Sequence, residues 1–299
     1  MKLNNNPVVS IILPTFNREK EIIKAINSVI NQTVKNWELV IVDNYSEDNT
    51  EYLVNSLNDP RIRFYKVRNN GLISLSRNFG IKKSNGKYIA FLDSDDWWIK
   101  DKLERSLNIL NDGYDFVYHD LTLSPVRLRL FNKKTVGVWD LKSPVKKHLL
   151  ELGNPIPCSS VVTKKSLIRK VKYFNQSKQL ITMEDFDLWI RISEHTENFF
   201  CINQPMGYYK LDSNESSKPN ISLIANKSIY NLHLKEIYGE CSTEILPSWY
   251  LYKKARCQYQ LNPEKSSSLL LIILSRNISF EINIKVLFMI ISVFFKRIF

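Results

Sequence analysis

The stretch Lys87-Tyr-Ile-Ala-Phe-Leu-Asp93-Ser-Asp95-Asp96-Trp97-Trp98 decides the fold class of this 299-residue chain. Its apolar run, from Tyr88 to Leu92, is typical of a buried strand, and three carboxylates follow within four residues. Carboxylates at the carboxyl end of a strand in an open α/β sheet lie where such sheets bind ligands. Mg²⁺ or Mn²⁺ suits them, because such a cation takes one or two carboxylates and completes its shell with phosphate oxygens and water. The alternative is that Asp95 or Asp96 caps the following helix, although a cap needs only one acid.

Alternating strand and helix patterns surround this stretch and predict a mostly parallel sheet with helices on both faces. The strands are apolar on both sides, as burial under helices requires. Asn17 is a candidate N-cap for the first helix. The predicted elements are strands at 8–13, 38–43, 61–67, 88–92 and 115–119, with helices near 22–30, 52–57, 74–83 and 103–110.

The charge balance points to an anionic partner. Lys and Arg number 42 against 30 Asp and Glu, for a net charge of +12, which fits a nucleotide diphosphate, an acidic membrane or a nucleic acid. Nucleic acid is not expected, because the basic residues are dispersed and the aromatic residues mostly follow core patterns. The four cysteines show no metal-ligand spacing, and neither a signal-like run nor a dinucleotide or P-loop motif is present.

Four motifs in order resemble those of the family 2 glycosyltransferases. They are Ser10-Ile-Ile-Leu-Pro-Thr-Phe-Asn17-Arg18, Val42-Asp-Asn-Tyr-Ser-Glu-Asp-Asn-Thr50, Ser76-Arg77-Asn78 and Phe91-Leu-Asp-Ser-Asp-Asp96. The resemblance implies an α/β protein with the GT-A fold, that is, a Rossmann-like sheet, and an inverting transfer from a nucleotide-sugar donor. It implies a GT-A domain over residues 1–217, with a nucleotide-sugar-binding half at 1–112 and an acceptor and catalytic half at 113–217. Residues 218–299 would form a helical extension.

The same resemblance assigns roles on the donor side. Asn44 stands where the family more often has an acid that accepts a hydrogen bond from the pyrimidine base. The amide oxygen of Asn44 can still accept such a bond, so uridine stays the favoured base, although an acid would indicate it more strongly. Asp212 stands near the place of a family histidine that can bind the metal. The implied donor-binding residues are Pro14, Thr15, Asn17, Asp43, Asn44, Arg77, Asp93 and Ser94, and the implied ligands of Mn²⁺ or Mg²⁺ are Asp95, Asp93 and Asp212.

A second acidic group, Glu184 and Asp185, opens a predicted helix. From the residues alone this is equally well an acidic first turn, which the positive end of a helix tolerates. The resemblance makes Asp185 the general base that takes the proton of the acceptor hydroxyl. Glu184 is predicted to bind the acceptor saccharide. Asn154 and Ser159 are predicted to do so as well, because they are polar side chains of a loop that enters a strand.

The C-terminal residues 284–299 are strongly apolar, with a few basic residues among them, and this segment is too short to span a bilayer. An interfacial helix on an anionic membrane is one interpretation, and a helix packed on the catalytic domain is the other. The interfacial-helix interpretation implies a peripheral protein on the cytoplasmic face of the inner membrane. Its acceptor would be lipid-linked, as in lipopolysaccharide O-antigen or capsule synthesis.

Two other functions use similar features. A sugar-1-phosphate nucleotidyltransferase also combines acids and metal on an α/β sheet, but it needs a Gly-rich basic loop that Pro14-Thr-Phe-Asn-Arg18 does not provide. A catalytically silent membrane-binding member of the same fold would not need Asp93, Asp95 and Asp185.

Overall fold

The computed structural model describes residues 6–125, 134–211, 218–239, 245–276 and 280–298. Within them, eight strands form one sheet in the order β3-β2-β1-β4-β7-β6-β8-β5. The strands are β1 (Val9–Thr15), β2 (Trp37–Asp43), β3 (Ile62–Lys66), β4 (Tyr88–Phe91), β5 (Trp97–Trp98), β6 (Phe116–Ser124), β7 (Val162–Lys164) and β8 (Phe199–Lys210).

The sheet divides into a parallel part and a mixed part. β3, β2, β1 and β4 are parallel neighbours, as the repeated strand–helix pattern predicts. β7 then pairs antiparallel with both β4 and β6, whereas β6 and β8 are parallel. The predicted mostly parallel α/β sheet is therefore confirmed for the first half of the chain, and the second half adds strands of both directions.

Helices cover both faces of the sheet. The helices of the first two thirds are α1 (Ile22–Ile30), α2 (Thr50–Asn55), α3 (Ile73–Lys83), α4 (Lys102–Asn111), α5 (Val145–Leu152), α6 (Lys165–Lys170) and α7 (Glu184–Ser193). Those that follow are α8 (Pro219–Ile229), α9 (Lys235–Tyr238), α10 (Ser248–Leu261), α11 (Ser267–Leu274) and α12 (Phe280–Ile298). A π-helical segment, Tyr230–Leu234, joins α8 to α9.

Two predicted helix caps are wrong. α1 begins at Ile22 after Glu21, while Asn17 has a left-handed φ of 50° and its Oδ1 accepts from the Glu47 N–H at 2.9 Å. Asp96 does not cap α4 either, because the chain first pairs β5 with β8 and the helix begins only at Lys102. Both side chains hold loops around the sheet edge instead.

The C-terminal helices share a hydrophobic core with one face of the sheet. Ile229 on α8, Leu251 on α10 and Leu270 on α11 belong to the same buried cluster as Phe116 and Trp189. The predicted helical character of this region is thus confirmed in the described residues. The division into domains at residue 217 stays a prediction.

The last helix is buried on one side only. Val286 and Val293 of α12 are buried, whereas Leu287, Phe288 and Ile291 are exposed. No helix in the described ranges is long and apolar enough to cross a membrane.

Candidate active site

A cavity of about 480 Å³ opens where β1 and β4 end and α7 begins. Its walls bring together residues from every motif singled out in the sequence except the one after β2. The predicted site residues that line it are Pro14, Arg77, Asp93, Ser94, Asp95, Asn154, Glu184 and Asp185. Donor-side and acceptor-side predictions therefore meet in a single space.

A second pocket, of about 500 Å³, is formed by the loops after β1 and β2. Asn44 lines it with Tyr45 and Arg68, and the Asn44 Oδ1 accepts from the Asn69 N–H at 2.8 Å. Asp43 is buried beneath, where its Oδ2 accepts from the Ser46 N–H at 2.9 Å. The predicted donor-binding residue Asn44 therefore faces this pocket. Asp43 does not line it, but its carboxylate accepts hydrogen bonds from the loop after β2 that forms the pocket wall.

Thr15 and Asn17 also lie away from the two openings. Thr15 is buried at the end of β1. Asn17 holds the loop after β2 through its backbone N–H, which donates to the Ser46 Oγ at 2.8 Å, as well as through its side chain. The contacts of Asn17 indicate that it fixes the shape of the loop after β2.

Arg77 joins the two acidic groups of the site. Its Nη2 lies 2.8 Å from the Asp93 Oδ1 and its Nη1 lies 2.8 Å from the Glu184 Oε1, and its side chain is only 3% exposed. A guanidinium suits this position because it presents several donors in a fixed plane. Arg77, which is predicted to bind the donor, therefore also connects the loop after β4 to α7.

Asp185 lies in the first turn of α7 on the cavity wall. Burial, with the neighbouring Glu184 charge, raises the pKa of Asp185 to about 7, although Arg77 lowers it. Its Oδ1 accepts from the Phe186 N–H at 2.7 Å. A carboxyl group that titrates near neutral pH is suited to take a proton from a bound hydroxyl.

The three acids after β4 have different surroundings. Asp95 lines the cavity and forms an ion pair with Arg18 at 3.2 Å. Asp96 is buried, and its Oδ1 accepts from the Lys210 N–H at 3.0 Å. Burial and the charges of Asp93 and Asp95 raise the pKa of Asp96 well above its ordinary value. Asp93 and Asp95 are therefore the members of this motif that face the cavity.

Ser159 lies beneath the motif, and it is not among the residues that line the cavity. Its hydroxyl accepts from the Asp93 N–H at 3.0 Å, and its carbonyl accepts from the Trp98 indole at 2.7 Å. The structure therefore does not bring Ser159 to the acceptor space, whereas Asn154 does line it.

The carboxylates fit a hard cation with few protein ligands. Asp93 and Asp95 offer oxygen donors on the cavity wall, and Mg²⁺ commonly uses one or two carboxylates together with substrate phosphates. No group of three or more His, Cys, Asp or Glu side chains within the described ranges is arranged to hold a metal by itself. Asp212 lies outside the described residues.

Arg18 and Tyr209 are residues of the cavity wall that the sequence did not assign to the site. Arg18, at the end of the first motif, pairs with Asp95. Tyr209 of β8 lines the cavity, and burial together with the surrounding aspartates raises the pKa of its hydroxyl. In the sequence, the segment that contains Tyr209 resembles the segment that closes the site in family 2 glycosyltransferases. This resemblance could have indicated that Tyr209 lies at the site.

Comparison with known proteins identifies the family. The family described as Glycosyl transferase family 2 matches residues 10–171, more than half of the chain. The chain belongs to glycosyl transferase family 2. The UDP-Glc:alpha-D-GlcNAc-diphosphoundecaprenol beta-1,3-glucosyltransferase WfgD of Escherichia coli is 30% identical over 215 residues, covering 70% of this chain and 81% of WfgD.

Solved structures support the fold of this family 2 member. S. aureus TarS 1-349 in complex with UDP aligns with a TM-score of 0.59 at 18% identity, over 91% of this chain and 76% of that one. The Pyrobaculum calidifontis mannosyltransferase PcManGT, in complex with GDP-Man and Mn²⁺, aligns with a TM-score of 0.56 at 14% identity, over 98% and 88%. At these identities the likeness shows the fold alone, and the predicted GT-A fold is confirmed.

Proposed function

We propose that this family 2 glycosyltransferase moves a sugar, with inversion, from a nucleotide-diphosphate donor to a saccharide hydroxyl. The observation that carries the proposal is that Asp185 and the Asp93–Asp95 motif line the same cavity. A base for the acceptor and a site for the donor diphosphate therefore stand in one space. UDP is the favoured nucleotide, since WfgD carries UDP-Glc in its name and TarS was solved with UDP.

In the proposed mechanism, Asp185 takes the proton of the acceptor hydroxyl as its oxygen attacks the anomeric carbon. The bond from that carbon to the diphosphate oxygen breaks on the opposite face, and the nucleoside diphosphate leaves. A pKa near 7 gives Asp185 a substantial ionised fraction at neutral pH while keeping it basic enough to accept a proton. Arg77 pairs with both the Asp93 and the Glu184 carboxylates, and it would thereby hold the loop after β4 in place relative to α7 during the reaction.

Asp95, together with Asp93, would hold a divalent cation, Mn²⁺ or Mg²⁺, against the donor phosphates. Such a cation, when bound, offsets negative charge on a departing diphosphate. We expect Asp95→Ala to reduce transfer by about 10²-fold or more, because a metal contribution is worth several kcal/mol, and to remove the metal dependence of UDP binding. Full wild-type activity in EDTA would refute the metal assignment.

The donor is tested by incubating the protein with single nucleotide sugars and Mn²⁺ and measuring slow hydrolysis. Release of UDP from one UDP-sugar is the expected result. The anomeric configuration of a transferred product, read by NMR coupling constants, then tests inversion. A product that retains the configuration of the donor would contradict the proposed single displacement.

The acceptor is proposed to be lipid-linked and the protein peripheral on the cytoplasmic face of the inner membrane, in O-antigen or capsule assembly. WfgD acts, by its name, on a diphosphoundecaprenol-linked sugar. On this chain, Leu287, Phe288 and Ile291 form an exposed apolar strip on α12, opposite the buried Val286 and Val293. A helix that is apolar on its outer face is suited to lie in a membrane interface.

Replacing Leu287, Phe288 and Ile291 by serine tests the membrane contact without touching the buried side of α12. We expect the variant to lose co-sedimentation with anionic phosphatidylglycerol vesicles. Tyr52→Ser is a matched control, since Tyr52 is 73% exposed on α2. Vesicle binding that survives the triple change would show that α12 is not the contact.

A further inference from the structure

A smaller cavity, of about 340 Å³, lies beside the active site and is built largely by α10. It shares Asn154 with the active-site cavity, and Met183 on its wall immediately precedes Glu184. A ligand in this cavity would therefore extend directly into the space next to Asp185.

The wall on the α10 side is fixed to the helix that carries Asp185. The Trp249 indole donates to the Leu150 carbonyl at 2.8 Å. Its ring meets Phe186 of α7 edge-to-face, with centroids 5.4 Å apart. Because Phe186 follows Asp185, the position of this wall is tied to the position of the proposed base.

Aromatic and cationic side chains dominate the cavity. Trp139, Trp249 and Tyr252 present rings, and the apolar face of a pyranose packs well against such surfaces. Lys253 and Arg256 lie one turn apart on α10 and both line the cavity. The wall thus combines surfaces for a sugar ring with two positive charges.

Neither cation is neutralised by an adjacent acid. Within the part of the chain that the structure describes, neither Lys253 nor Arg256 forms an ion pair. Burial lowers the pKa of Lys253, while the more distant charge of Asp185 opposes this effect. A partly buried cation without a paired anion is costly, so an anionic ligand would offset that cost at Lys253. Arg256 is exposed to solvent on the same wall, where its guanidinium can be reached by such a ligand.

We infer that this cavity is an acceptor subsite for a glycosyl phosphate or diphosphate, whose sugar packs on the aromatic wall and whose phosphate pairs with Lys253 and Arg256. The inference rests on the proposed function and adds the chemical class of the acceptor. It assigns to α10, which lies outside the residues 10–171 matched by the family, the recognition of the acceptor's charged group.

The test compares two probes that differ only in the anionic group. One is an alkyl diphospho-N-acetylglucosamine, and the other is the alkyl N-acetylglucosaminide without phosphate. Binding of each to the full chain is measured by calorimetry in the presence of UDP and Mn²⁺. We expect Arg256→Gln to weaken binding of the diphosphate probe about tenfold or more, since hydrogen bonds to charged groups are strong, and to leave the phosphate-free probe unchanged.

Lys254→Gln is the matched control, because Lys254 is the neighbour of Lys253 on α10 and does not line the cavity. Lys253→Arg, which keeps the charge, should bind the diphosphate probe better than Lys253→Gln. Equal binding of the two probes by the wild type, or no binding of the diphosphate probe, would overturn the inference. An equal loss in Arg256→Gln and Lys254→Gln would overturn it too, since only general charge would then matter.

UDP binding separates this inference from the proposed function. If Arg256→Gln weakens UDP binding as much as probe binding, the cations serve the donor and the acceptor subsite is refuted. If the wild type neither binds nor hydrolyses any nucleotide sugar but binds the diphosphate probe through Arg256, the proposed transfer fails and the subsite stands.

Discussion

The loop after β4 and the first turn of α7 each contain three acidic residues. Two acids of the loop have counterparts in the helix with the same kind of contact. In each region one acid pairs with Arg77, namely Asp93 in the loop and Glu184 in the helix. A second acid in each region lines the cavity beside the first, namely Asp95 in the loop and Asp185 in the helix. The cavity-facing acids differ in their neighbours, because Asp95 has the Arg18 cation and Asp185 lies next to Glu184.

The third acid of each region is buried, and here the two regions are opposites. Asp187 on α7 pairs with Arg191 at 2.6 Å and with His233 at 2.9 Å. Burial alone would raise the pKa of Asp187, but the His233 hydrogen bond and Arg191 lower it. Asp96 in the loop receives no ion pair in the described structure, and its pKa is raised well above the ordinary value.

This comparison teaches that paired charges decide what each acid does. In the loop, burial without an ion pair raises the pKa of Asp96, while Asp95 lies on the cavity wall beside Arg18. In the helix, the buried acid is ionised and structural, and the cavity-facing acid titrates near neutral pH. The proposed diphosphate-and-cation site and the proposed general base would therefore arise from similar runs of carboxylates.

The largest effect is expected from Asp185→Asn. The amide keeps the shape of the side chain and cannot accept the proton, so kcat should fall by about 10²–10⁴-fold, the usual contribution of a general base. UDP affinity should barely change. Steady-state kinetics and calorimetric binding of UDP measure the two quantities.

The pH dependence gives a control for that result. Because the carboxylate is the base, the wild-type kcat should rise as pH rises through about 7. The Asn variant should lack this rise. A variant that retains both the rate and the pH profile would show that Asp185 is not the base.

Arg77→Gln should break the link between the two regions. Two carboxylates lose a buried guanidinium partner, so the free energy of unfolding should fall by about 3–5 kcal/mol in urea titrations. Arg105→Gln is the control, since its pair with Asp101 is on the surface and surface pairs contribute about 0–1 kcal/mol.

The same variant also tests the charge environment of the base. Arg77 lowers the pKa of Asp185, so its removal should shift the rise of kcat to higher pH. A variant that unfolds in urea like the wild type, with an unshifted pH profile, would contradict the linking role of Arg77.

The strands that carry the candidate site could be predicted largely from the sequence. β1, β2 and β4 are buried on both faces, so they appear as continuous apolar runs that end in polar residues. The ends of parallel neighbours meet at one edge of the sheet, which is why Pro14 and Asp93 could be expected to lie close together.

Contacts between distant segments could not be predicted. The Arg77–Glu184 pair spans 107 residues and the Trp249–Leu150 bond spans 99, and no local pattern specifies either. The short strand β5 has only two residues and exists because β8 is available to pair with it. Of the two partners that distinguish Asp187 from Asp96, His233 likewise comes from a distant segment, whereas Arg191 lies one turn further along the same helix.

Asp187→Asn should affect stability far more than catalysis. It removes the charge that Arg191 and His233 contact, so the free energy of unfolding near pH 7 should fall by about 1.5–3 kcal/mol. The folded pKa of Asp187 is lowered, so this contribution is present above the unfolded pKa and is lost as pH falls through the folded pKa. Urea unfolding at pH 7 and at acid pH measures both parts.

Glu194→Gln provides the surface comparison at the opposite, C-terminal end of α7, because its pair with Lys146 is exposed and should contribute less than about 1 kcal/mol. The kcat of folded Asp187→Asn should stay within about tenfold of the wild type, since Asp187 is not on the cavity wall. If Asp187 proves essential for transfer and Asp185 dispensable, the roles of the two acids in α7 are reversed.

The smallest effect is expected from Asp96→Asn. Because burial and the Asp93 and Asp95 charges raise the folded pKa of Asp96, its favourable contribution is full below the unfolded pKa and is lost as pH rises through the folded pKa. An amide oxygen still accepts from the Lys210 N–H and carries no charge to bury. At acid pH, below the unfolded pKa of Asp96, the free energy of unfolding should therefore change by less than about 1 kcal/mol. At pH 7 the variant should be at least as stable as the wild type, because it lacks the loss that the raised pKa causes as pH rises. Urea titrations of both proteins at several pH values measure this difference.

A loss of stability in Asp96→Asn at pH 7 as large as that in Asp187→Asn would show that Asp96 is ionised and paired, as Asp187 is. The contrast between the loop after β4 and the first turn of α7 would then fail.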